Sequence, residues 1–277
     1  MNIFITILEL IGTVAFSASG AMVGIKKHMD IFGVMILGLV TAVGGGVIRD
    51  LTLGITPPAT FRDPIYAAAA LITAAIVFLP QVQRLLERHQ RTYDLTMLLM
   101  DSIGLGVFTV IGVQAAFAQS SSHGIFLLVF VGVITGVGGG VLRDIMAGNM
   151  PYVFVKHIYA CASLAGALLC TLLWKGSAAW AMSLGAGLVI LIRCLSAHFR
   201  QQVGMSPMQY VTLSRLNHAR TLLRSTDLSV MEIAMQCGYA DMSNFVRRFR
   251  QQYGVTPLQF RKKGLSGLNR TFQEAII

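Results

Sequence analysis

Apolar residues crowd into seven stretches of the first 195 positions, at about 3–25, 31–48, 65–79, 95–118, 124–142, 158–174 and 178–195, with short polar breaks between them. A helix that crosses a bilayer needs about 20 mostly apolar residues. The pattern therefore predicts a seven-span bundle of membrane helices. Beyond Leu195 the pattern becomes amphipathic. Leu216, Ala219, Leu222 and Leu223 share one face of a helix predicted over 213–225. Asp227 or Ser229 caps a second, short helix over 230–236, and Gly238 permits a tight turn after it. A third helix, over about 242–252, buries Phe245, Val246 and Phe249 and leaves Asn244, Arg247, Arg248, Arg250 and Gln251 outside. The predicted fold class is all-α: a membrane bundle followed by a small helical helix-turn-helix domain.

The first six spans form a repeat. Glu9, Gly12, Phe16, Ser17 and Gly20 recur as Asp101, Gly104, Phe108, Thr109 and Gly112. Thr41, Gly44, Gly45, Gly46, Arg49 and Asp50 recur as Thr135, Gly138, Gly139, Gly140, Arg143 and Asp144, and Gly54 and Pro57 recur as Gly148 and Pro151. Three spans is an odd number, so the two copies cross the bilayer in opposite directions. Inverted repeats of this kind build transporters and channels. The expected divisions are repeat 1 over 1–92, repeat 2 over 93–176, the seventh span over 177–197, a C-terminal domain over 198–263 and a tail over 264–277.

The triple glycines are the candidate centre of a pathway. Each glycine weakens a helix by about 1 kcal/mol relative to alanine, so a break is expected at both runs. Such a break must face protein or water, and paired glycine-interrupted spans point to a permeation or binding site. Small residues also let helices pack closely. Arg49-Asp50 and Arg143-Asp144 follow directly, either to line or gate the pathway or to end a span as an interfacial ion pair. Glu9 and Asp101 lie inside the first and fourth spans at matching positions. Carboxylates at such depth are functional candidates by default, or paired groups that hold helices together.

Composition and charge sharpen this picture. The chain is 55% hydrophobic and 12% charged, with a mean hydropathy of +0.67. Soluble domains carry about 25% charged residues. Positions 1–192 hold 10 Lys+Arg and 8 Asp+Glu, and positions 193–277 hold 12 and 4. That basic excess calls for an anionic partner, nucleic acid or lipid headgroups. Lys26, Lys27, Arg84, Arg88, Arg91, Arg143 and Lys156 fall on one side of the bundle, and Arg49, Arg62 and Lys175 on the other. The positive-inside rule then puts the N-terminus outside and the C-terminus in the cytoplasm. The first span reads as a membrane helix and not as a cleaved signal peptide. Cys161, Cys170, Cys194 and Cys237 form no CxxC pair and read as small apolar residues. With no nucleophile-base pair, metal cluster or phosphate loop in view, neither an enzyme nor a cofactor is expected.

Two resemblances rest on these motifs. The paired GGGxxRD runs, the stretch from Gly20 through Met22 to Gly24 and the seven-span layout resemble the bacterial TRIC-like family, also described as a glycine transporter domain family, over about 1–197. The resemblance implies a homotrimer in the bacterial inner membrane. Each subunit would hold one pathway, in the lipid bilayer, for a small cation or a small amino acid such as glycine. Gly44, Gly45, Gly46, Gly138, Gly139 and Gly140 carry over with their Arg-Asp pairs. The lipid-binding motif of eukaryotic members has no clear match. Further on, Arg215 to Leu223, Ile233-Ala234, Gly238-Tyr239, Ser243-Asn244-Phe245, Phe249, Gly254, Pro257, Phe260 and Arg261 resemble the AraC/XylS-type DNA-binding domain over about 195–263. That family joins two helix-turn-helix units by a long helix and regulates transcription. The resemblance assigns Ser243, Asn244, Arg247, Arg248, Arg250 and Gln251 to DNA.

The first helix-turn-helix unit is cut short. Positions 195–207 resemble its recognition helix and exit, while the seventh span stands where two earlier helices belong. Arg193 to Phe199 also resembles the end of the membrane family's last span. Two functions follow as expectations: a transport protein with an appended domain, or a membrane-tethered transcription regulator. A trimer presents three domains, whereas DNA half-sites usually pair by two-fold symmetry.

Overall fold

The computed structural model describes residues 3–87, 90–119, 124–155 and 157–262. Arg88 and Lys156 of the loop count, and the tail at 264–277, lie outside the described residues. The chain divides into two compact units, Met1–Ser196 and Ala197–Ile277. Among the described residues, its regular structure is helical throughout.

The first unit contains α1 (Ile3–Lys26), α2 (Ile31–Thr52), α3 (Ala59–Arg62), α4 (Ile65–Phe78), α5 (Pro80–Glu87), α6 (Gln90–Gln119), α7 (Ile125–Met146), α8 (Tyr152–Val155) and α9 (His157–Leu173), and most of α10 (Ala178–Val203). Each of the seven expected apolar stretches is helical. Five helices, α1, α2, α6, α7 and α10, are long and apolar enough to cross a membrane. The pair α4 and α5 passes the same test jointly but bends by 71° at its break, and α9 is apolar but shorter. Proline at the first position of α5 suits a helix start, because its missing N–H is not needed there. The outside of the unit is apolar: Ile3, Phe32, Phe126 and Trp180 are each more than 70% exposed. A surface of this kind fits lipid and not water.

The repeat is visible in the packing. Helix α1 packs on α2 and α4, and α6 packs on α7 and α9. The two halves meet where α2 lies on α7 and α1 on α6. Phe16 and Phe108 stack at 5.4 Å there, each ring lying over a glycine of the other repeat, Gly104 and Gly12 respectively. Helices α2 and α7 also end alike. The Ile55 N–H donates to the Asp50 carbonyl and the Asn149 N–H to the Asp144 carbonyl, both at 2.8 Å, around Gly54 and Gly148 at positive φ.

The break expected at the triple glycines is absent. Helices α2 and α7 run unbroken through Gly44, Gly45 and Gly46 and through Gly138, Gly139 and Gly140. The glycines serve a crossing instead. A β-carbon at Gly45 would strike the Thr135 carbonyl oxygen, and one at Gly139 would strike the Thr41 carbonyl oxygen. Backbone contact this close is the reward for the lost side chains. Breaking a helix in hydrocarbon would strand peptide groups at several kcal/mol each, more than the propensity penalty of about 1 kcal/mol per glycine.

The second unit holds α11 (Pro207–Ser225), α12 (Val230–Gln236) and α13 (Met242–Tyr253), and residues 257–262 are helical as well. Each start is capped. Ser206 with Gln209 and Ser229 with Glu232 form reciprocal capping boxes, and the Asp241 carboxylate accepts from the N–H groups of Ser243 and Asn244. The hydrogen bonds from Ser229 hold the Glu232 carboxyl below its ordinary range. The core gathers Leu216, Ala219, Leu223, Ile233, Ala234, Cys237, Phe245 and Phe249, with Tyr239, Tyr253 and Phe260 packed around it. Burial pushes the Cys237 thiol up in pKa, against a smaller opposing pull from Arg215. Gly238, at φ 77°, makes the turn between α12 and α13. The remnant of the first recognition helix is no separate element, because positions 195–203 are the end of α10.

Candidate functional site

The Arg-Asp pair at the end of α2 anchors one charged cluster. Arg49 Nε donates to Asp50 Oδ1 at 2.7 Å, and the other Asp50 oxygen accepts from the Ala59 N–H, 2.7 Å away, which opens α3. Arg49 Nη1 lies 3.8 Å from Glu9 Oε1 on α1. Tyr66 on α4 donates its hydroxyl to Glu9 Oε2 at 2.6 Å. This cluster is not sealed. It lines a cavity of about 430 Å³, walled by Glu9, Gly46, Arg49, Arg62, Asp63 and Tyr66 among others.

The repeat mate at the end of α7 is closed. Arg143 Nε donates to Asp144 Oδ1 at 2.9 Å, and Asp144 Oδ2 accepts from the Tyr152 N–H at 3.0 Å, where α8 begins. Arg143 Nη1 reaches Asp101 Oδ1 on α6 and Ser19 Oγ on α1, both at 2.6 Å. A second cation joins from α10: Arg193 Nη2 donates to Asp101 Oδ2 at 2.6 Å and its Nε to Ser102 Oγ at 3.1 Å. The Arg143 side chain is 0% exposed and that of Asp101 1%. Two guanidinium groups balance two carboxylates here, as burial in a low-dielectric interior demands.

Glu9 and Arg49 are thus brought together at the cavity with Asp50 buried behind Arg49, and Asp101, Arg143 and Asp144 lie in the sealed core. Of the glycines, Gly46 lines the cavity, while Gly45 and Gly139 form the helix crossing. Sequence reasoning missed three partners. Tyr66 and Tyr159 sit in a second matched pair, Ile65-Tyr66-Ala67 and Ile158-Tyr159-Ala160. Arg193 was counted with the basic C-terminal excess, but it lies in the first unit and faces its core. The signal was available: Gly185, Val189 and Arg193 follow at i, i+4 along the buried stripe of α10.

On α13, Phe245 and Phe249 face the core. Ser243, Arg247, Arg248, Arg250 and Gln251 are exposed over the outer half of the helix. Asn244 is half-buried, and its Oδ1 accepts from Arg247 Nη2 at 3.2 Å. Arginine, asparagine and glutamine on a helix anchored from behind can reach phosphates and base edges.

A helical membrane bundle built from an inverted repeat, joined to a helix-turn-helix unit, is the class of protein that this geometry defines. The chain matches the profile of the glycine transporter family over residues 6–81 and 98–175, and a helix-turn-helix domain profile over 188–263. The first two segments are the two repeats and together exceed half the chain, so the protein belongs to the glycine transporter family. A membrane protein of Deinococcus radiodurans, UPF0126, is 43% identical over 162 residues, covering 58% of this chain and 72% of that relative. The inner membrane protein YadS of Escherichia coli K12 is 40% identical over 163 residues, covering 58% of this chain and 75% of the relative.

Solved structures agree on the fold. A prokaryotic TRIC channel crystallised in 0.5 M KCl superposes with a TM-score of 0.67 at 28% identity, covering 72% of this chain and 98% of the other. The TRIC trimeric intracellular cation channel orthologue from Rhodobacter sphaeroides gives 0.63 at 34% identity, covering 69% and 96%. The C-terminal unit is an AraC-type helix-turn-helix domain. There the transcriptional activator RhaR of Enterobacter sp. (strain 638) is 41% identical over 71 residues, which are 26% of this chain and only 25% of that activator.

Proposed function

We propose that the first unit is a homotrimeric conduit of the bacterial inner membrane for a monovalent cation or a small amino acid such as glycine. The AraC-type unit would then hang in the cytoplasm, where DNA is, and neither unit would be an enzyme. The cavity at Glu9 carries this reading. It offers carboxylates, guanidinium groups and a tyrosine hydroxyl around an open cavity inside the bundle, and charged groups at such depth mark solute paths. The trimeric and cation-channel nature of the similar solved structures supports it. So does the Lys/Arg bias of the loops for the orientation.

Glu9→Gln removes the charge and keeps the shape. Hydrogen bonds to charged groups contribute about 1.5–3 kcal/mol, so flux through vesicles holding the full chain should fall about tenfold or more for the solute that uses the site. Potassium and glycine are the probes. If neither flux exceeds that of empty vesicles, or if both are indifferent to the substitution, the assignment of the cavity fails.

A second reading, a membrane-tethered regulator, is favoured by the order of the second unit: three capped helices, a closed aromatic core and an exposed basic face on α13. On this reading Arg247→Ala with Arg248→Ala lowers the response of a target promoter in cells, and Glu9→Gln leaves it alone. Each lost phosphate contact should also flatten the salt dependence of DNA binding by about one unit of slope. A promoter response that survives removal of residues 205–277 refutes the regulator.

A further inference from the structure

Each repeat places a carboxylate, an arginine and a tyrosine together, but the two trios are wired differently. In the first, the Tyr66 hydroxyl donates to Glu9. In the second, both oxygens of Asp101 are held by guanidinium groups, Arg143 on one and Arg193 on the other. Tyr159, the counterpart of Tyr66, is fully buried, and among the described residues its hydroxyl has no hydrogen-bond partner. Arg143 Nη2 is in the same position. The two orphaned atoms flank Gly140, where a β-carbon would fall 2.7 Å from the hydroxyl and 3.7 Å from Nη2. The Arg193 guanidinium lies over the Tyr159 ring, 4.5 Å from its centroid. It occupies the oxygen of Asp101 that corresponds to the one Tyr66 takes on Glu9.

Buried polar atoms without partners are rare and costly, so each calls for an explanation. Here the unmade bond belongs to a second arrangement. If Arg193 leaves Asp101, the Tyr159 hydroxyl can donate to the freed oxygen. Asp101, Arg143, Asp144 and Tyr159 then reproduce the wiring and the net charge of Glu9, Arg49, Asp50 and Tyr66. One arrangement satisfies Arg193 and strands Tyr159, and the other does the reverse. The first arrangement keeps a charge-assisted pair and is the more stable, and the second is a minor state of the kind that a switching element populates. Inverted-repeat proteins work by moving one half against the other, and α10 is the helix for which the first repeat has no counterpart.

We propose that Arg193 is a tethered cation that locks the second repeat, and that the pathway there opens when Tyr159 replaces Arg193 on Asp101. This rests on the conduit reading above. Arg193 acts through Asp101 and is a positioning residue. In vesicles with the full chain, Arg193→Met keeps the bulk of the stem and removes the charge. The flux of potassium or glycine should rise about tenfold, within the usual range of allosteric coupling. Adding Tyr159→Phe to Arg193→Met should abolish most of that gain, because the open state loses its hydrogen bond. Arg193→Lys keeps the charge on Asp101 but cannot also reach Ser102 and stack on the ring. It should give an intermediate flux, and it serves as the readout if the methionine variant misassembles.

A merely structural arginine would show the opposite pattern, with flux lowered in step with thermal stability in all three variants. Flux that is unchanged or reduced in assembled Arg193→Met protein overturns the lock, and so does a gain indifferent to Tyr159→Phe. If the wild-type protein carries neither probe, the conduit reading fails on its own, and amide hydrogen exchange decides the lock. Amides of α9 around Tyr159 must then exchange faster in Arg193→Met, and unchanged protection overturns it.

Discussion

Arg143→Met should cripple the membrane unit, and the matching Arg49→Met should cost it less. Arg143 serves Asp101, Asp144 and Ser19 from a fully buried position. Removing one partner of a buried ion pair costs about 3–5 kcal/mol, because the charge left behind has neither water nor a counterion. Arg193 remains on Asp101, but among the described residues Asp144 keeps only the Tyr152 N–H. Arg49 borders the cavity, and its distance of 3.8 Å to Glu9 is long for a hydrogen bond. Losing Arg49 leaves the buried Asp50 with the Ala59 N–H, but water in the cavity can solvate Glu9, whereas Asp101 has no such access. Yield of assembled protein from detergent and its thermal melting would rank the two. The reverse ranking would contradict the division into a sealed and an open cluster.

The triple glycines should split into members of unequal weight. Gly45→Ala and Gly139→Ala each press a methyl group into a backbone carbonyl across the crossing of α2 and α7. Neither carbonyl can step aside without moving its helix. Overpacking costs about 1–3 kcal/mol even where side chains can adjust, and rigid backbone on both sides puts these two at the upper end or beyond. Gly46→Ala meets nothing closer than Arg49 Nη2 at 4.0 Å. It should be close to neutral, because the added methyl group has nothing to strike. Melting curves of the three variants would test this. If Gly46→Ala proved as damaging as Gly45→Ala, flexibility and not close contact would be the purpose of the run.

Much of the architecture was legible because membrane helices are coded by coarse features. Apolar length marks a span whatever its neighbours, and matched glycines, charges and prolines reveal a duplication without any knowledge of packing. The positions of Glu9, Asp101 and the Arg-Asp pairs could be marked for the same reason. Their wiring could not. The second repeat holds Asp101 with Arg193, and that contact joins positions 92 residues apart. The glycine runs misled for a physical reason: helix propensity measured in water describes a helix whose peptide groups have an alternative partner, and hydrocarbon offers none. In the second unit, spacing alone placed Phe245 and Phe249 inside, because a short amphipathic helix has one choice of face.

Helix α10 gives the molecule a direction. Duplication alone makes a bundle with two equivalent ends, in which a solute would meet the same sequence of chemistry whichever way it travelled. An unpaired helix that lies on α6 and α9 through Gly106 and Gly166 ends that equivalence. One end then presents a carboxylate at an open cavity and the other a neutralised, buried one. In the conduit proposed above, flux should therefore differ with direction, its polarity set by a single unpaired helix.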